Sequence, residues 1–363
     1  MKRAGTWGLL AAATTLSALI GFGCLEWLVR NREAHRSEAP GTMPFLYYRS
    51  YRVGHALVRG IDYYGWVHIN RQGFRGPDVA PTPAPGVTRI MVVGSSTTMD
   101  GAVSRDENAW PARLQHWLNQ LQGSRTFEVI NAGTPGYRVI DNVIRFQLEL
   151  YRYQPHLVIL YEGHNDLLAA LSARSEPEGP RPGEIPTRTP WTRWLEQHSL
   201  LYNKVVLRWQ AIRGRARGAK RQEAAAPGAF EEALSSGTVQ FEHDLRGFLA
   251  LTSAAGIPVV IPQLVFMGGP TLTSQDSASA WATWRAAVPV APPNQLFAGY
   301  ARFDSVARAE ADAYHAVYIP TRDFGMGAPE LYAEGDPVHF SDRGADRMGQ
   351  MLSRDLIALS PWR

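Results

Sequence analysis

From Thr88 onward the chain alternates short apolar runs with segments of helical periodicity, and this alternation limits the possible folds more than any other feature. Arg89–Val93, Phe127–Ile130, Leu157–Tyr161, Ile257–Pro262 and His315–Ile319 each read as a buried strand. Pro111–Leu121 reads as a helix, with proline in its first turn and Leu114, Trp117, Leu118 and Leu121 on one face. Val139–Tyr151 gathers Ile140, Val143, Ile144, Phe146 and Leu150 on one side in the same way. Further helices are expected over Trp191–Trp209, Gln240–Ala254, around Tyr300–Tyr314 and over Ser341–Ile357. Strands that alternate with helices imply right-handed crossovers, hence an α/β fold with a central parallel sheet of about five strands. Ser175–Thr189, Gly214–Pro227 and Gly268–Pro293 read as surface loops or insertions.

The N-terminus has a different character. Lys2 and Arg3 precede an apolar run from Trp7 to Leu25, long enough to cross about 30 Å of hydrocarbon as a helix. Trp7 and Trp27 bracket it at interface depth, and Arg30, Arg32 and Arg36 follow. One uncleaved transmembrane helix is the expectation. The alternatives are a lipoprotein signal, because Gly21-Phe22-Gly23 precedes the lone cysteine Cys24, and a cleaved signal peptide. The expected organisation is a stub over 1–6, an anchor over 7–29, a juxtamembrane segment over 30–87 that packs on the main domain, and that domain over 88–363. Within the juxtamembrane segment, Asn70–Gly76 is turn-rich and is assigned a structural role. A formal net charge of only +4, without a dense basic face, argues against a nucleic-acid partner.

Four short motifs punctuate the main domain in a fixed order: Gly94-Ser95-Ser96-Thr97, Asn131–Gly136, Gly163-His164-Asn165-Asp166 and Asp336-Pro337-Val338-His339. The first three follow strand ends, where ligands bind in open α/β sheets. A serine in the first turn can present its hydroxyl there, and its own N–H can point at a developing oxyanion. The bland reading is a helix-capping turn. Gly136 can bring a backbone N–H close to substrate because it lacks a Cβ, or it can simply complete a Pro-Gly turn. Asn165 can donate its amide to an oxyanion, or cap a helix, a job Asp166 could equally do. Asp336 and His339 stand three residues apart around a turn, a spacing that can bring carboxylate to imidazole. There Asp336 would fix the tautomer while His339 takes a proton from serine. The alternative is a surface acid and a capping histidine.

Taken together, these motifs resemble the SGNH (GDSL-type) hydrolase family over roughly Arg89–Ala358. The resemblance implies a flavodoxin-like three-layer α/β/α domain, behind one N-terminal transmembrane helix as in membrane-anchored bacterial members. It implies Ser96 as nucleophile, the N–H of Ser96 with Gly136 and Asn165 as oxyanion hole, His339 as base and Asp336 as its partner. The choice of Ser96 over Ser95 rests on alignment with the family's Gly-Asp-Ser, which is Gly94-Ser95-Ser96 in this chain. The expected activity is that of a serine esterase acting through an acyl-serine. Its expected substrates are O-acyl, chiefly acetyl, esters of envelope polysaccharide on the periplasmic side of a bacterial inner membrane. Lipase, thioesterase, glycan O-acyltransferase and a non-catalytic envelope-binding module are the alternatives. No cofactor is expected, because neither a Gly-Lys-Ser/Thr loop nor a Gly-x-Gly-x-x-Gly turn follows a strand. A metal site from His164, Asp166, Asp336 and His339 lacks the usual ligand spacings.

Overall fold

The computed structural model describes residues 2–34, 47–50, 53–63, 66–123, 125–172, 229–268, 293–321 and 328–362, with short pieces at 189, 191–192, 194–195, 199–202, 204–206, 208–209, 282, 284 and 324. Most of the three expected insertions, 175–189, 214–227 and 268–293, lies outside the described residues, as do parts of the expected helix over 191–209. The chain forms two units, Met1–Glu38 with Gly179–Ala224, and Ala39–Glu178 with Ala225–Arg363.

In the first unit, helix α1 (Lys2–Ala34) runs beyond both ends of the expected anchor. Its stretch Ala12–Arg32 is long and apolar enough to cross a membrane, by length and composition. Leu16, Leu19, Ile20, Phe22, Leu25, Trp27 and Leu28 all present their side chains outward. Glu26 accepts from the Ser199 hydroxyl at 2.8 Å and from the Leu200 and Leu201 amides at 2.9 Å each, so it caps a short helical piece.

The second unit is built on strands β5 (Val87–Gly94), β6 (Thr126–Asn131), β7 (Leu157–Tyr161), β8 (Val259–Pro262) and β9 (Val317–Ile319). They form one parallel sheet in the order β6-β5-β7-β8-β9. The apolar runs are continuous rather than alternating because both faces are covered. Met91, Val93, Ile130, Val158, Leu160, Val259 and Ile261 pack under helices on one face. Ile90, Val92, Ile159, Tyr161, Val260 and Ile319 pack on the other, against Trp110, Leu114 and Leu118 from one helix and Met348, Leu352 and Leu356 from another. The result is the expected three-layer α/β/α sandwich. Successive residues serve opposite layers because strand side chains alternate. Chain order reverses between β5 and β7, the switch point where such sheets bind ligands. Gly94 pairs with Tyr161 there, so the two strands end level.

Flanking helices are α2 (Ser96–Met99), α3 (Trp110–Leu121), α4 (Val139–Arg145), α5 (His164–Ser172), α6 (Ala229–Ala254), α7 (Pro293–Ala313) and α8 (Asp342–Leu359). Val139–Tyr151 departs from the single helix that its periodicity suggests. Regular α-helix ends at Arg145, a π-helical turn spans Phe146–Leu150, and a 3-10 turn spans Tyr151–Tyr153. The wider turn keeps Phe146 and Leu150 both buried while Arg145, at the junction, reaches Ala132 and Thr134.

Residues 47–69 hold two antiparallel hairpins that the sequence reading does not contain. They pair β1 (Tyr47–Ser50) with β2 (Gly54–Leu57), and β3 (Ile61–Tyr63) with β4 (Val67–Ile69). Strands of three or four residues give too few alternations to register as a period. The following Asn70–Gly76 segment is organised by the buried Asn70, whose Oδ1 accepts from the Gln72 and Phe74 amides at 2.9 Å each and whose Nδ2 donates to Pro77 O at 2.6 Å. Arg75 extends this segment into the sheet, its N–H bonding Asn131 O at 3.2 Å.

Candidate active site

The turn after β5 is packed so tightly that its composition is close to obligatory. A Cβ on Gly94 would collide with Thr98 Oγ1 and the Tyr161 carbonyl, and one on Gly133 would strike the Met99 amide. Thr98 Oγ1 instead donates to Tyr161 O at 3.0 Å, tying the Ser96 turn to the end of β7. Ser96 opens α2 and is half-buried; Asp100 closes it in the left-handed region (φ 62°), donating its N–H to Ser96 O at 2.7 Å. Arg75 Nη1 caps the open end of this turn through Met99 O at 3.0 Å and Asp100 O at 2.5 Å. Trp110 adds two bonds of 2.9 Å, from its indole N–H to Thr97 O and from its amide to Asp100 Oδ2.

Ser95 is buried, its Oγ 3.5 Å from Thr97 Oγ1, and it acts to lower the pKa of the nearby Glu162 carboxyl at the end of β7. Glu162 also accepts from the Gly163 amide at 2.9 Å and from Asn142 Nδ2 at 3.1 Å. Burial, reinforced by the charge of Asp166, pushes its pKa well above the carboxylate range. Thus a buried carboxyl from the neighbouring strand stands against the Ser96 turn. The sequence signal was available: an acid directly after the apolar run Leu157–Tyr161.

Asp336 and His339 are brought together by their own turn. Asp336 Oδ1 accepts from the Val338 and His339 amides, both at 2.9 Å, and Oδ2 lies 2.7 Å from His339 Nδ1. With Nδ1–H donating to the carboxylate, Nε2 carries the lone pair. Burial works to lower the pKa of His339, but the Asp336 hydrogen bond and charge, joined by the charge of Asp100, raise it above its ordinary value. Asp336 is lowered: burial opposes this, and the bonds and charge of His339 outweigh it. Asp100, which closes the turn that Ser96 opens, is thus near enough to His339 for its charge to be felt there. Further bonds hold the two loops in register. Met267 N donates to Pro337 O at 2.7 Å, and Ser104 N donates to Asp342 Oδ1, at the start of α8, at 2.8 Å. Among the described residues neither the Ser96 hydroxyl nor His339 Nε2 has a hydrogen-bond partner.

The other two motifs flank this pair of loops. Gly136 is exposed at φ +82°, a conformation that favours glycine. Asn165 donates through Nδ2 to Tyr137 O at 2.8 Å, which links the second and third motifs and leaves its second amide hydrogen unassigned. Asp166 accepts from the Val139 amide at 3.2 Å and so caps α4. His164 is buried, its Nδ1 2.8 Å from Tyr300 OH, and burial followed by the charge of His339 pushes its pKa down to about 3. Both of these residues are therefore committed within the fold. Arg75, Asp100, Arg145 and Glu162 escaped the sequence reading because their roles arise from contacts between distant segments.

A serine at a switch point, an imidazole paired with a carboxylate, and backbone and side-chain amides from the adjoining motifs are the kinds of group that perform acyl transfer. The sequence matches the model of the GDSL-like Lipase/Acylhydrolase family over residues 92–347, and the chain belongs to that family. It is an ester-hydrolysing enzyme. No curated protein matches the sequence. Similar solved structures include an acetylxylan esterase from Geobacillus stearothermophilus, at 13% identity and TM-score 0.43 over 74% of this chain and 94% of that one. A GDSL-like lipase from Bacteroides thetaiotaomicron aligns at 13% identity and TM-score 0.39 over 75% and 89%. An α/β hydrolase enzyme from the metagenome of Lake Arreo, Spain, aligns at 14% identity and TM-score 0.41 over 76% and 96%.

Proposed function

We propose that Ser96 is the acyl nucleophile of an esterase whose base is His339. Ser96 Oγ attacks the ester carbonyl carbon while His339 Nε2 takes its proton. The tetrahedral oxyanion is met by the N–H groups of Ser96 and Gly136 and by the Asn165 amide. Collapse breaks the C–O bond, the departing alkoxide takes the proton from His339, and the acyl group stays on Ser96. Water then attacks the acyl-enzyme, gives its proton to His339 and releases the carboxylic acid as Ser96 recovers its hydrogen. The observation that carries this reading is the 2.7 Å Asp336–His339 pair coupled electrostatically to the turn that begins at Ser96.

The proposed substrates are O-acetyl esters of cell-envelope glycans. This part rests on the apolar α1, read as a single inner-membrane anchor that leaves the catalytic unit on the periplasmic side. A fluorophosphonate probe tests the nucleophile: wild-type protein labels, Ser96→Ala does not, and Ser95→Ala still does. Labelling that persists in Ser96→Ala overturns the assignment. A series of p-nitrophenyl esters tests the acyl group, with kcat/KM expected to fall from acetyl toward octanoyl. A rise with chain length would point to a lipase.

A further inference from the structure

We propose that His55, from the hairpin β1–β2, is a positioning residue for the oxyanion hole. His55 lies outside the stretch 92–347 that matches the family. The inference rests on reading Gly136 N–H as an oxyanion donor.

His55 Nε2 lies 3.0 Å from the Pro135 carbonyl oxygen. A carbonyl only accepts, so Nε2 carries the hydrogen and donates it. The Pro135 C=O and the Gly136 N–H are the two ends of one planar peptide unit. Gripping its oxygen therefore fixes the direction of its N–H. A hydrogen bond to the amide oxygen also draws electron density toward it and makes the N–H at the other end a better donor. The Pro135–Gly136 unit is the centre of a turn closed by the Tyr137 N–H on Thr134 O at 3.2 Å, with Gly136 at φ +82°, and His55 adds a bond to the one carbonyl that this turn leaves without a partner in the turn itself.

The histidine is itself held. Its ring stands edge-on to Tyr137 at 4.9 Å and 82°, and Tyr137 OH donates to His55 O at 2.6 Å. The ring also covers the side of Gly136, 3.8 Å from where a Cβ would project. The neighbouring carbonyls have other partners: Arg145 takes Ala132 O and Asn165 takes Tyr137 O. Among the described residues His55 is the donor to Pro135 O. The hairpin thus adds a clamp to the one peptide of this loop that is proposed to face the substrate.

Losing a direct oxyanion donor costs about 10²–10³ in kcat. Losing a bond on the far side of the same peptide should cost less, about tenfold. The test uses the full chain in detergent, labelled with carbonyl-13C proline and 15N glycine, so that Pro-Gly peptides alone give carbonyl–amide cross-peaks. The Pro135–Gly136 peak is identified by its loss in Gly136→Ala. His55→Ala is expected to shift that peak, to lower kcat on p-nitrophenyl acetate about tenfold with KM within about twofold, and to weaken a trifluoromethyl ketone inhibitor by the same factor as kcat. His55→Gln, which keeps a donor, should recover part of the loss. An unmoved peak, an unchanged kcat, or a kcat loss with full affinity for the ketone each overturns the proposal. Turnover that survives in Ser96→Ala overturns the reading of the site, and with it the catalytic role of His55, even if the peak moves.

Discussion

At the scale of single residues, the chemistry depends on groups whose ionisation the fold has moved. In the proposed mechanism His339 must be neutral to act as a base, and its pKa is raised above 6.5 because Asp336 and Asp100 favour the imidazolium more than burial disfavours it. The acid limb of the kcat/KM profile is therefore expected above pH 6.5, with activity lost as pH falls through it. Asp336→Asn removes the larger of the two favourable charges. It should shift that limb to lower pH and reduce kcat by on the order of 10⁴, since a wrongly held tautomer cannot take the proton. A pH series on both proteins checks this, and a limb that stays in place would remove Asp336 from the mechanism. Glu162 carries a complementary lesson. The first motif lacks the family's aspartate, and a buried carboxyl stands instead at the end of the adjacent strand. Residues 95 and 162 are far apart in the chain and meet only because Gly94 and Tyr161 pair level.

At the scale of elements, the site is assembled from strand ends and held by helix packing. Helix α8, which follows His339, lies against α3, which follows the Ser96 turn. Gly349 marks a tight contact between them: a Cβ there would be 2.7 Å from Arg113 Cβ and from the Leu114 amide. Replacing glycine with alanine inside a helix ordinarily gains about 0.5–1 kcal/mol. Overpacking against backbone costs about 1–3 kcal/mol and should dominate here. Gly349→Ala is thus expected to lower the urea midpoint. Gly247→Ala, at an exposed position of α6 with nothing within 4 Å, should raise it. Equal and positive shifts in both would show that the α3–α8 contact is not tight. The apolar runs and the amphipathic α3 were legible because burial on both faces leaves a compositional trace. The π turn at Phe146–Leu150 was not, because its apolar spacing is compatible with ordinary helix.

At the scale of the whole molecule, the chain pairs an outward-facing apolar helix with a catalytic α/β unit. Retention of α1 predicts that the full protein stays in the membrane fraction through alkaline carbonate and leaves it only with detergent. The mass of the mature protein separates the three N-terminal fates. An intact N-terminus supports the anchor, loss of 1–23 with a lipid on Cys24 supports a lipoprotein, and loss without lipid supports a cleaved signal. The fold class, the parallel sheet and the four motifs could be read from the chain alone. They depend on local patterns: burial on both faces writes an apolar run, and a tight turn demands glycine or serine at the turn itself. The support of the site could not be read in this way. Arg75 on the Ser96 turn, Glu162 near Ser95, Arg145 and His55 on the Gly136 loop, and the charge of Asp100 on His339 each act between separate segments. A hydrogen bond constrains the distance between two groups and leaves no period in the sequence, so these partners emerge only when the sheet order sets the strand ends side by side.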